Sequence, residues 1–200
     1  MILQSLVDYY NALVVRDEVP KPGWTNVNVS FAINIDEEGE LINIIPLKRT
    51  VNTGKKTVEQ PTVMEVPEQI KRTSGIEANF LCDNSTYIFG IDKKSKGNRA
   101  EQCFEDSRNL HQKVLQNLGS PIATAIKLFF SRWNPQTAIS NKSLEPYLAD
   151  ILSGVNLVFI FNGKFAQQYE EIREACNNYR SIKSNTTTMQ CLVTGKRLPI

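Results

Sequence analysis

Residues 27–47 read VNVSFAINIDEEGELINIIPL, and this stretch decides the fold. Val27, Val29, Phe31, Ile33 and Ile35 alternate with smaller or polar residues. Period-2 alternation of this kind marks a strand with one buried face. The segment 36–40 (DEEGE) is a hairpin turn, and 41–47 returns as a second strand ended near Pro46. Further strand-like runs lie in the first half and helical stripes in the second. The expected fold is therefore α+β: a mixed, mainly antiparallel sheet from the first half packed with helices of the second.

Upstream, Leu3, Leu6, Val7, Tyr10, Leu13 and Val14 recur at helical spacing, which predicts an amphipathic core helix over 2–15. The segment DEVPKPGW (17–24) interrupts it. Downstream, KRTVNTGKKTVEQ (48–60) is polar and basic, an exposed loop or loose hairpin. Its Gly54-Lys55-Lys56-Thr57 lacks the upstream glycine and the strand–helix setting of a phosphate-binding loop, so it is no nucleotide site. Lys55 and Lys56 are left as contacts to a nucleic-acid backbone or as solvated charges.

The most chemically loaded stretch is IKRTSGIEANFLCDN (70–84). Lys71, Arg72, Thr73, Ser74 and Gly75 give cations and hydroxyls beside a residue that turns freely. Such groups suit phosphates; Asn79 and Asn84 have the amides that read base edges; Phe80 is a wedge or a core residue. Strand-like runs flank it at 63–66 and 86–91, so a scaffold is expected to hold it as a loop, the usual setting for binding residues. The bland alternative is a polar connection whose asparagines only shape turns. DKKSKGN (92–98) is a second basic loop with Lys93, Lys94 and Lys96.

Beyond it, a helical stripe runs from Ala100 to Leu118 and ends at Gly119. Ser120-Pro121 starts another helix, which Asn134-Pro135 ends. A short helix over 143–152, a buried strand over 155–161, an Asn162-Gly163 hairpin and a helix over 166–179 follow. A polar linker (181–188), a strand (189–193) and a Thr194-Gly195 turn complete the chain. A subdivision near residue 98 would separate a sheet-rich part (1–97) from a helix-rich part (98–200).

The net charge is only +2, but it is unevenly spread. Residues 1–40 carry two basic and seven acidic side chains, whereas 41–99 carry ten basic and six acidic. Such a chain presents a cationic face without an extreme overall charge. The four cysteines show no C-x-x-C spacing and His111 is the single histidine, so neither a zinc site nor a histidine triad assembles. His111 lies on an apolar helical stripe and reads as a hydrogen-bonded core residue. No spaced acidic cluster for two-metal chemistry occurs. The expectation is a non-enzyme without cofactor or metal, cytoplasmic, with reduced cysteines and no membrane segment.

KRTSGIEANFLCDN (71–84) resembles the signature of the large subunit of the subtype I-C CRISPR interference complex (Cascade), the Csd family. MILQSLVDYY (1–10), RAEQCFEDSRNLH (99–111) and CLVTGKRLPI (191–200) resemble further family motifs, in the same order. The resemblance implies the amino-terminal part of a longer large subunit. It implies a place in an RNA-guided surveillance complex, beside the backbone subunits and the CRISPR RNA. It also implies that this region helps recognise the protospacer-adjacent motif in double-stranded target DNA, with cleavage left to a recruited helicase-nuclease. On that reading Lys71, Arg72, Thr73 and Ser74 hold phosphate, Asn79 and Asn84 read bases, and Lys55, Lys56, Lys93, Lys94 and Lys96 guide the flanking duplex. The alternative from another class is a protein and guide-RNA interaction module that reads no DNA sequence.

Overall fold

A computed structural model describes residues 2–16, 18–52, 54, 56–93, 98–184, 188–192, 195 and 197–199. Helix α1 (Ile2–Val15) leads into strands β1 (Trp24–Val29), β2 (Phe31–Ile35) and β3 (Leu41–Pro46). A hairpin of β4 (Arg49–Asn52) and β5 (Thr57–Gln60) precedes β6 (Thr62–Pro67) and the short β7 (Cys82–Asp83). Helices α2 (Ser85–Ile88), α3 (Arg99–Val114), α4 (Pro121–Arg132), α5 (Pro135–Ala138) and α6 (Leu148–Leu152) follow. The chain returns through β8 (Leu157–Phe161), β9 (Lys164–Phe165), α7 (Glu170–Ser184), β10 (Thr188–Gln190) and β11 (Arg197–Pro199). The fold is α+β, with antiparallel pairing dominant.

The main sheet runs β3-β2-β8-β7, with β9 also on β8. Only the central pair, β2 with β8, is parallel. Both members are covered on both faces, which suits the continuous apolar run LVFIF of β8. On one face Phe31, Ile33, Phe159 and Phe161 meet helices α3 and α4 in the principal core. There Phe159 lies 5.3 Å from Phe129 and 5.8 Å from Phe130, edge to face. On the other face Ala32, Val158 and Ile160 pack with Val29 and Val66.

The predicted strand 27–35 is two strands. At Ser30 the chain changes partners: β1 pairs with β6, whereas β2 pairs with β3 and β8. Ser30 sits at the joint, its N–H on Asn156 O at 3.0 Å and its O accepting from Leu47 N at 2.8 Å. Val29 and Phe31, two residues apart, consequently enter different clusters. The β2–β3 hairpin is as expected, and so are the β8–β9 hairpin and the loose basic one, β4–β5. Asn162 and Gly163 both have positive φ (47° and 76°), the turn that matches strand twist.

Gly39 closes the β2–β3 turn against α4. Its φ is +76°, and a Cβ there would strike the helix backbone at Ala125 and Phe129. Gly39→Ala is expected to cost about 3 kcal/mol, from overpacking plus the left-handed penalty. Gly54, with φ +79° but open space around it, is expected to cost only about 1 kcal/mol on the same change. Urea denaturation of the two variants checks the difference.

Further expectations need correction, among them the stripe read from Ala100 to Leu118 and closed by Gly119, whose helix ends at Val114 with Leu115 at its cap. The run 86–91 is not a strand: Asn84 caps α2 by accepting from Thr86 N at 3.0 Å, and Tyr87 and Ile88 bury against the body. The helix read over 166–179 is the helical turn 166–168 followed by α7, which continues through part of the predicted linker to Ser184. Ser120 stands at the cap position of α4, but its hydroxyl makes no capping bond. Finally, α1 is not a core helix; none of its residues is buried. Residues 193 and 194 of the predicted final strand and turn lie outside the described residues.

Candidate nucleic-acid interface

The connection between β6 and β7 is irregular, yet it is tied at both ends: the backbone N–H groups of Glu68, Ile70, Glu77, Ala78, Asn79 and Leu81 all have acceptors. Asp83 is the centre. Its side chain is 2% exposed and accepts from four donors. Arg72 approaches as a fork, Nη1 on Oδ1 at 3.0 Å and Nη2 on Oδ2. Asn79 N donates at 2.9 Å and Asn84 N at 2.8 Å. Burial outweighs the Arg72 fork and the two amides and leaves the Asp83 carboxyl above its ordinary range. Four donors, one pair of them a guanidinium fork, nonetheless meet its two oxygens, which favours the charged form in this position. The Arg72 guanidinium also lies 3.8 Å from the centre of the Tyr87 ring and donates through Nε to Glu77 O.

Further ties come from side chains outside the loop. Asp106 accepts from Ala78 N at 2.6 Å, and Tyr87 OH from Glu77 N at 3.4 Å. Arg99 donates to Gly75 O at 3.0 Å. His111, fully buried, accepts at Nε2 from Leu81 N at 3.0 Å and donates from Nδ1 to Ser107 O at 2.7 Å. Desolvation lowers its pKa to about 4, so the ring is neutral. Leu81 itself holds φ +63°, a left-handed conformation that this bond helps fix.

These ties sort the sequence-predicted residues. Lys71, Thr73 and Ser74 are exposed on the outer edge of the loop. Arg72 is half-buried and committed to Asp83, so it shapes the loop. Asn79 is buried, and its Oδ1 accepts from Ile70 N at 2.8 Å. Asn84 spends its oxygen on the cap of α2. Phe80 is 7% exposed, 5.0 Å from the His111 ring, and belongs to the principal core. Lys56 is exposed on the β4–β5 hairpin. Lys55, Lys94 and Lys96 lie outside the described residues.

A cleft of about 640 Å³ opens beside the loop. Thr73, Ser74 and Gly75 form one side, Asn84 and Thr86 another, with Lys93 and Arg99 on its rim. Arg99 and Thr86 were missed by the sequence reading; Arg99 opens the helix just after a basic loop, and that adjacency was the available signal. Cations, hydroxyls and a cap amide around one cleft can hold phosphate oxygens. Asp92 is the one acid in the wall. Among the described residues no group of three metal-ligating side chains assembles, and no helix is long and apolar enough to cross a membrane.

Comparison with known proteins gives one family: residues 6–200 match the model described as CRISPR-associated protein (Cas_Csd1). No curated protein matches the chain.

Proposed function

The chain belongs to the Cas_Csd1 family of CRISPR-associated proteins, and from that premise we propose that it serves as a non-catalytic subunit of an RNA-guided surveillance complex, binding target duplex DNA and contributing to recognition of the protospacer-adjacent motif. The observation that carries the reading is the edge of the loop. Lys71, Thr73 and Ser74 stand exposed on a loop whose ends are clamped; Thr73 and Ser74 share the cleft with Lys93 and Arg99, and Lys71 lies next to it in sequence. A rigid loop loses little entropy when it grips a phosphate. Guide RNA would read the long target, and a recruited helicase-nuclease would cut it.

A second reading is favoured by a specific observation. Both asparagine oxygens are spent on backbone amides, so the loop would hold nucleic acid, or a partner subunit of the complex, without reading bases. Binding of the assembled complex to duplexes that differ only in the motif separates the two. Lys71→Ala, Lys93→Ala and Arg99→Ala are each expected to lower the slope of log affinity against log salt by about 0.9. Arg72→Ala is expected instead to lower the melting temperature, because it strips Asp83 of its counter-charge. Unchanged salt slopes in all three variants would remove the loop edge and the cleft from the DNA. Unchanged motif preference across a full set of loop variants would favour the scaffold reading.

A further inference from the structure

Helix α1 and a groove on the body are two unpartnered apolar surfaces joined at one point. None of the α1 residues is buried, and Ile2 and Val15 are 81% and 85% exposed. Its one charged side chain is Asp8. Fourteen residues make a marginal helix in water unless a surface supports it. One acid and no base in that length give it no affinity for phosphate or for an anionic membrane.

The groove, about 540 Å³, lies between the β6–β7 loop, α3 and α7. Ile70, Phe80, Leu110, Val114 and Tyr179 give its apolar part, with Glu68, Glu77, Asp106 and Lys113 beside them. Its wall includes Arg180, and here the tether of α1 is attached. Pro22 and Gly23 share a second hollow with Asn177 and Arg180. Gly23 O accepts from Glu68 N at 2.9 Å, and Tyr10 OH reaches Pro20 O at 3.1 Å. The eight residues between α1 and β1 span up to about 26 Å when extended. The stretch of α3 from Asp106 to Val114 that borders the groove is about 12 Å long. Glu68 and Arg180, which meet the tether at Pro22 and Gly23, both line the groove, so the tether starts at its wall and is about twice as long as that stretch.

We propose that α1 is a strap that closes over this groove of its own chain, laying its Leu3–Leu6–Tyr10 stripe on the groove floor. Seated there, it braces the back of the loop whose front carries Lys71, Thr73 and Ser74. This goes beyond the DNA reading and does not depend on it.

The test places Leu6→Cys on the strap and Asn109→Cys on the exposed lip of the groove, in a Cys191→Ser background that leaves the three buried cysteines. A short thiol-specific crosslinker at high dilution is expected to join positions 6 and 109 within one chain. The same strap position paired with Thr137→Cys, on the rim of a different cavity, is expected to stay unjoined. Tyr10→Asp, a change on an exposed helix that does not threaten the fold, should abolish the crosslink. In parallel, amide exchange of residues 2–15 and 106–114 should be about tenfold slower in the unsubstituted chain than in Tyr10→Asp. No 6–109 crosslink together with fast exchange of α1 overturns the strap. Crosslinks formed only between two chains overturn it as well, since they assign the groove to a second copy.

Discussion

Asp83→Ala is expected to destabilise the fold by about 4 kcal/mol, the cost of breaking a buried ion pair from one side. The substitution leaves the half-buried Arg72 guanidinium without its counter-charge and two backbone amides, Asn79 and Asn84, without an acceptor. That figure includes the two orphaned amides, each of which costs about 1–3 kcal/mol where water cannot reach it. The damage also spreads, because Asp83 holds both ends of the loop: residue 72 through the fork, residues 79 and 84 through their amides. Urea denaturation of Asp83→Ala and Asp83→Asn checks this. The asparagine keeps one acceptor oxygen and is expected to lose less. Joint removal, Arg72→Met with Asp83→Leu, should recover part of the loss, since a buried pair replaced by apolar groups is often neutral. Equal stability of Asp83→Ala and the parent chain would show that the clamp does not hold the loop.

His111 supplies the second large effect. His111→Gln should cost about 3 kcal/mol through the lost ring contacts with Phe130 (4.3 Å between centroids) and the disturbed bond to Leu81 N. The parent chain should carry a pH dependence that the variant lacks. In the unfolded chain the imidazole binds a proton below about 6.5; in the folded chain burial defers that to about 4. Between these values the unfolded state holds the extra proton, so stability rises with pH. The contribution of the neutral ring is complete above pH 6.5 and falls away as the solution is acidified towards 4. The total is about 3 kcal/mol, at about 1.4 kcal/mol per pH unit. Denaturation midpoints at pH 7.5, 5.5 and 4.5 for parent and variant give the difference. Parallel curves would place the proton elsewhere.

The hairpin at 31–46 was legible because its alternation and its turn are local. The partner switch at Ser30 was not, since β6 and β8 lie far along the chain and the alternation runs on across the switch. TYIFGI (86–91) is a short apolar run, and periodicity alone does not separate a strand from a buried helix at that length. Asn84 decides it, through a cap that looks in sequence like any turn asparagine. For α1 the stripe was visible, but a stripe says only that an apolar face exists, not that its cover lies in the same fold. The site divides the same way. That 70–84 is a held loop with exposed Lys71, Thr73 and Ser74 followed from composition. The inward roles of Arg72, Asn79 and Phe80 depended on Asp83 and His111, and His111 comes close to the loop only when α3 packs.

The parallel pairing of β2 with β8 sets the order in which this molecule can be made. Phe31 pairs with Leu157 and Ile35 with Phe161, a separation of more than a hundred residues that a growing chain crosses late. At 5–20 residues per second, synthesis from one strand to the other takes about 6–25 seconds. During that interval β2 has β3 on one side and an open, apolar edge on the other. Closing so long a loop is also what slows folding once the chain is complete. The nascent first half therefore spends its time on the ribosome as an unfinished sheet, its apolar edge open to association until the second half arrives.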